Sequence, residues 1–136
     1  MFKKTILSIM LLCTVNPAIT AEEAQQVKEA RTYYDLNVSF YCPYTCCCGD
    51  YADGYTASGT VATQGRTCAA PSEIPFGTVI HIDGLGDYIV EDRGGAIIKN
   101  GNTYCIDIYM DSHEEALKMG RIYTKGYIDN EDWNKN

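Results

Sequence analysis

From Tyr34 onward, short runs of β-branched and aromatic residues alternate with clusters of Gly, Pro, Asn and Asp. That texture predicts an all-β domain. Leu36 to Tyr41 alternates as a first strand. Cys42 to Tyr55 is a long loop rich in Gly, Asp and Cys, and loops of this length are usually functional or stapled. Thr56 to Ala62 reads as a short strand bending at Gly59, and Arg66 to Ala70 as another. Pro71 and Pro75 bracket a turn. Thr78 to Ile82 is a clear strand, Asp83-Gly84 a turn signal, and Asp87 to Glu91 the strand that answers it. Gly94-Gly95, just after Asp92, marks a tight turn where backbone comes close to something. Asn100-Gly101-Asn102 is a second hairpin signal.

Tyr104 to Met110 is the most informative strand. Alternation puts Tyr104, Ile106, Ile108 and Met110 on one face, and Cys105, Asp107, Tyr109 and Asp111 on the other. The apolar set faces the core, so Asp107 projects from a rigid strand toward an open surface. Asp111 to Gly120 reads as one short helix. Asp111 or Ser112 caps it, Glu114 or Glu115 completes a capping box, and Gly120 ends it. His113 falls in its first turn. Arg121 to Ile128 is a last strand, with His81 on an earlier one read as a surface residue. No internal repeat is present.

The N-terminus follows a different rule. Lys3 and Lys4 precede an apolar run from Ile6 to Val15, too short to span a bilayer comfortably, and Ala18-Ile19-Thr20-Ala21 supplies small residues for cleavage. Residues 1–21 therefore read as a secretory signal peptide cut after Ala21, with an uncleaved anchor as the alternative. Residues 22–34 form a polar linker or short helix, 35–128 the folded domain, and 129–136 a polar tail. The expected product is exported, to the extracellular space or cell envelope, with no membrane span once the leader is gone.

The whole chain of 136 residues carries a net charge of −7, enough length for one domain. Without Lys3 and Lys4, nine basic residues face eighteen acidic ones, giving −9. Such a surface repels phosphate backbones and makes nucleic acid a poor partner. Cys13 leaves with the leader. The six others, Cys42, Cys46, Cys47, Cys48, Cys68 and Cys105, are an even set in an exported chain, which favours disulfides with pairing left open. Adjacent cysteines rarely pair, so Cys68 and Cys105 are natural distant partners for the cluster. Zinc on Cys42, Cys46 and Cys48 is the competing reading. It is set aside because no His lies nearby in sequence and the spacing is no standard finger, so neither metal nor cofactor is assigned.

Four segments resemble the 3D (three-aspartate) domain family: NVSFYCPYTCCCGDYADG at 37–54, TASGTVA at 56–62, IPFGTVIHIDGLGDYIVEDRGGAI at 74–97 and IDIYMDSHEEALKMG at 106–120. The resemblance implies a six-stranded double-psi β-barrel with one short helix, like the catalytic domain of the lytic transglycosylase A family. It implies peptidoglycan glycan strands as partner and Asp107, in IDIY, as catalytic acid and base. Asp92, opening the DRGGAI turn, becomes its active-site companion, and Ser39 lines the groove. The family often has Asp-Pro before its IPFGT motif where this chain has Ala70-Pro71. The stretch between Gly95 and Asp107 is also longer than usual.

Transglycosylation asks for one carboxylic acid, which protonates the departing glycosidic oxygen and then takes the proton of the sugar's own attacking hydroxyl. Ordinary glycosidases need two carboxylates. An unperturbed Asp titrates near 3.9, so the acid needs a rise of roughly two units, from burial or a second carboxylate. Tyr109 could wall it, and Gly94 and Gly95 could offer backbone N–H groups to a sugar. Thr56 and Lys99 complete the substrate-binding set, although Lys99 or Arg93 could oppose the rise if placed close. The plainer alternatives are a solvated Asp107, an Asp92 that only caps a turn, a glycan-binding module that does not cut (motivated by Ala70) and a cysteine-stapled interaction domain. A monomer is expected.

Overall fold

The computed structural model describes residues 18–29 and 31–130. Most of the expected signal peptide (1–17) and the end of the polar tail (131–136) lie outside the described residues. Helix α1 spans Ala21–Glu29 and belongs to a unit separate from the one beginning at Arg31. Thr20 and Glu23 cap it reciprocally: the Glu23 N–H donates to Thr20 Oγ1 at 3.2 Å, and the Thr20 N–H to Glu23 Oε2 at 2.9 Å.

Seven strands follow: β1 Tyr33–Tyr41, β2 Thr67–Ala69, β3 Val79–Ile82, β4 Gly86–Asp92, β5 Lys99–Asn100, β6 Thr103–Tyr109 and β7 Ile122–Asp129. Their order is β1-β7-β3-β4-β2-β6-β5, and β1 also pairs with β6. Six strands thus close into a ring of pairings, with β5 as a short arm folded onto the start of β6. The β1–β6 and β2–β4 pairs are parallel and the rest antiparallel. Three short helical pieces complete the unit: α2 Thr45–Cys48, a 3₁₀ turn Gly49–Tyr51, and α3 His113–Met119.

The period-two pattern fills the inside of this ring. Leu36 and Val38 of β1, Ile80 and Ile82 of β3, Val90 of β4, Ile106 and Ile108 of β6 and Ile128 of β7 are all buried in one cluster with Cys68, Ala70 and Ile74. Each such aliphatic side chain contributes roughly 1.5–3 kcal/mol by leaving water. Close packing also explains Gly126, paired with Ile82 across β7 and β3. A Cβ there would sit 2.2 Å from the His81 carbonyl oxygen and 2.6 Å from Leu36 Cδ1.

Several boundaries differ from expectation. Strand β1 starts at Tyr33, ahead of Leu36. The Cys42–Tyr55 loop contains α2 and the 3₁₀ turn. The expected strand at Thr56–Ala62 does not form. Only an isolated bridge, Tyr55 to Val61, survives there. The reason is local: Thr56 Oγ1 accepts from the Thr60 N–H at 3.2 Å and lies 2.8 Å from Thr60 Oγ1. With Gly59 at φ 86°, these bonds close a turn in place of a ladder.

Candidate active site: an acid in an open cleft

Strand β6 carries Asp107 between two partners, with Ser39 of β1 on one side and Ala69 of β2 on the other. The alternation holds: Tyr104, Ile106 and Ile108 enter the core, while Asp107 and Tyr109 border a cleft of about 490 Å³. That is the size of an ordinary small-molecule site. Asp92, Gly94, Gly95 and Thr56 line the same cleft, together with Tyr41, Tyr51, Tyr55 and the cysteines 47 and 48.

Asp107 is half-buried, and its carboxyl is pushed up to about 6. Burial, which penalises the charged form, is the main cause. The Ser39 hydroxyl, donating to Asp107 Oδ1 at 2.9 Å, and the charge of Arg121 pull the other way. Asp92 adds a smaller upward push by like charge. The opposing cation is therefore Arg121, which was not foreseen. Arg93 turns its guanidinium to the Ala70 and Ile74 carbonyls, at 3.2 and 2.7 Å, over the Phe76 ring.

Asp92 is held differently. Its Oδ2 accepts from the Tyr41 hydroxyl at 2.7 Å, and its Oδ1 from the backbone N–H groups of Ala57 and Arg93 at 2.9 and 2.8 Å. It ties β1, the Thr56–Thr60 turn and its own strand together. Burial and this bond push the Tyr41 hydroxyl well above its usual range, so it stays a donor. Tyr41 also packs edge-on against Tyr109, with ring centroids 5.5 Å apart. Tyr41 was missed as a site residue, although it shares the face of Ser39 two positions earlier.

Other expectations fare unevenly. Ser39 touches the site through Asp107 and does not itself line the cleft. Thr56 lines it, but its hydroxyl is engaged with Ser58 and Thr60. Lys99 is misplaced. It sits on β5 opposite Tyr104, about 10 Å of strand before Asp107, with its ammonium over the Tyr104 ring. Gly94 and Gly95 do border the cleft. A Cβ at Gly94 would meet Ile97 Cγ1 at 2.9 Å, while one at Gly95 would meet open space. Ala70, where the family often has Asp, is fully buried in the core and is not part of the cleft lining.

Among the described residues, all six cysteines are free thiols in this structure. Cys68 is buried in β2 and Cys105 in β6, neither joined to the 42–48 group. The Cys68 thiol is pushed well up by burial, and Cys48 up to about 11 for the same reason. The sequence placed no histidine near these cysteines. The fold does: His113 Nδ1 lies 3.3 Å from Cys46 Sγ and 3.4 Å from Cys42 Sγ.

These features define a class of protein, a small closed ring of strands that presents a carboxyl of raised pKa in an open, tyrosine-edged cleft. Residues 66–129 match the model of the 3D domain family, so this stretch, which carries β2 to β7 with Asp92 and Asp107, is a 3D domain. Strand β1, with Ser39 and Tyr41, precedes the matched stretch. No curated protein matches the chain.

Proposed function

We propose that the chain is an exported enzyme that cleaves glycosidic bonds of peptidoglycan as a lytic transglycosylase, with Asp107 as general acid and then base. The 3D domain at 66–129 is consistent with a peptidoglycan-related role. The observation that carries the reading is a carboxyl pushed up to about 6 in an open cleft, so that near neutral pH it both holds and releases a proton. Its Oδ1 is steadied by Ser39. Among the described residues, no hydrogen bond to Oδ2 is found, which leaves that oxygen for the glycosidic oxygen of a bound strand.

Asp92 favours the one-acid route. A two-carboxylate hydrolase needs its second carboxylate free to attack or to activate water. Here three donors occupy Asp92, and using it as a nucleophile would strip them away. We read Asp92 as the residue that holds the cleft wall and helps keep Asp107 protonated. Tyr51 and Tyr55, well exposed at the rim, offer flat faces on which sugar rings can stack.

Purified sacculi incubated with the protein should release 1,6-anhydro muropeptides detectable by mass spectrometry. Asp107→Asn should cut that release by roughly 10²–10⁴-fold, the usual worth of a general acid. Equal release by the variant would remove Asp107 from its role. Retention on sacculi without any soluble product from the unaltered protein would mark the domain as a binding module instead.

A further inference from the structure

We propose that Cys42, Cys46, Cys47 and His113 form a closed, tetrahedral zinc(II) site that pins the cleft wall to the start of α3. Four donor atoms meet there from three parts of the fold: Cys42 just past the end of β1, Cys46 and Cys47 on α2, and His113 opening α3. All four lie within 4.8 Å of one another. Cys42 Sγ is 3.6 Å from Cys46 Sγ and 3.1 Å from Cys47 Sγ, and His113 Nδ1 is 3.4 and 3.3 Å from the sulfurs of Cys42 and Cys46. Zinc bonds of about 2.3 Å to sulfur and 2.0–2.1 Å to nitrogen give a regular tetrahedron S···S edges of about 3.8 Å and S···N edges of about 3.6 Å. Four of the six edges measure 3.1–3.6 Å, somewhat inside those values, and none exceeds 4.8 Å.

The donor set selects the ion. Three soft sulfurs and one imidazole nitrogen suit zinc, and four protein ligands leave no position for a substrate. The site is therefore structural. A single disulfide accounts for the cluster less well. It would use two of the three sulfurs, leave the third thiol beside it and have no use for an imidazole nitrogen facing two of them. Cys48 is not a ligand, since its Sγ turns back to the Cys42 carbonyl at 3.1 Å. The position explains what the ion would do. Cys42 follows Tyr41, which holds Asp92, and Cys47 borders the cleft, while α3 lies a few residues beyond the end of the strand carrying Asp107.

The test is metal analysis of the full chain with three variants. Protein purified without chelator or thiol reagents should hold about one zinc per chain. Cobalt(II) exchanged for zinc should give thiolate charge-transfer absorption and the intense visible bands of a tetrahedral site. Cys46→Ser and His113→Ala should each lose the bound metal to EDTA under conditions where the unaltered chain and Cys48→Ser keep it. Circular dichroism checks their folding, and the cobalt spectrum of the unaltered chain decides the coordination even if a variant unfolds. A disulfide from Cys42 to Cys46 or Cys47 in the exported protein, weak octahedral cobalt bands, or full metal retention by both ligand variants would overturn the proposal. None of these readouts depends on activity toward peptidoglycan.

Discussion

Asp107 sits in competing fields, and each is a handle on its proton. Because the carboxyl is raised to about 6, chemistry that needs the proton should fall as pH rises through 6. Ser39→Ala removes a hydrogen bond that favours the charged form. The alkaline limb of the pH–rate profile should therefore move upward, and an unmoved limb would show that Ser39 does not act through this carboxyl. The same shift has a stability sign. Below the unfolded-state pKa, Asp107 is neutral in both states and costs nothing. Above the folded-state value the buried charge is a penalty, fully present at pH 7. Asp107→Asn should thus raise stability at pH 7 by on the order of 2 kcal/mol, with little effect at pH 3.5, in melts at the two pH values. Much of this residue's setting was legible beforehand. Period-two alternation alone put Asp107 opposite the core, and the resemblance joined it to Asp92. Arg121, Tyr41 and His113 were not legible in their roles, because each acts on a group on another element of the fold, and periodicity carries information only within one element. His113 lies 71 residues from the Cys42 it faces.

Among elements, α3 behaves as its sequence says. Ser112 caps it, accepting from the Glu115 N–H at 3.3 Å, and Gly120 ends it at φ 64°. Ser112→Ala should cost about 1 kcal/mol in a denaturant titration. Strand β7 has a sharper requirement. Gly126→Ala forces a methyl against both the His81 carbonyl and Leu36, so β7 and β3 must part and Leu36 must move. A loss of about 1–3 kcal/mol is expected, and an unchanged Tm would mean the ring can yield there. The failed strand at Thr56–Ala62 shows what patterns miss. Thr and Val read as strand formers, yet hydroxyls spaced four apart around Gly59 satisfy the local backbone themselves. Lys99 failed for another reason. Strand β5 is two residues long, and nothing in its composition says which end of β6 it will cover.

At the scale of the molecule, the ring is one unit that starts at Arg31, and α1 belongs to another. A chain beginning at Arg31 should therefore melt in a single transition, and two separate transitions would show that the ring is not one cooperative unit. Ring closure was expected from the family resemblance and not from any strand read by itself, since the closing β1–β6 pair joins Ser39 to Asp107 across 68 positions. Closure has one more effect. A sheet with free margins invites a second copy to zip onto it, and each of the six ring strands already has neighbours on both sides. The two-residue β5 is the outermost member of the sheet, and it carries a lysine. Concentrated solutions should accordingly stay free of strand-swapped clumps, and any that form should nucleate at β5.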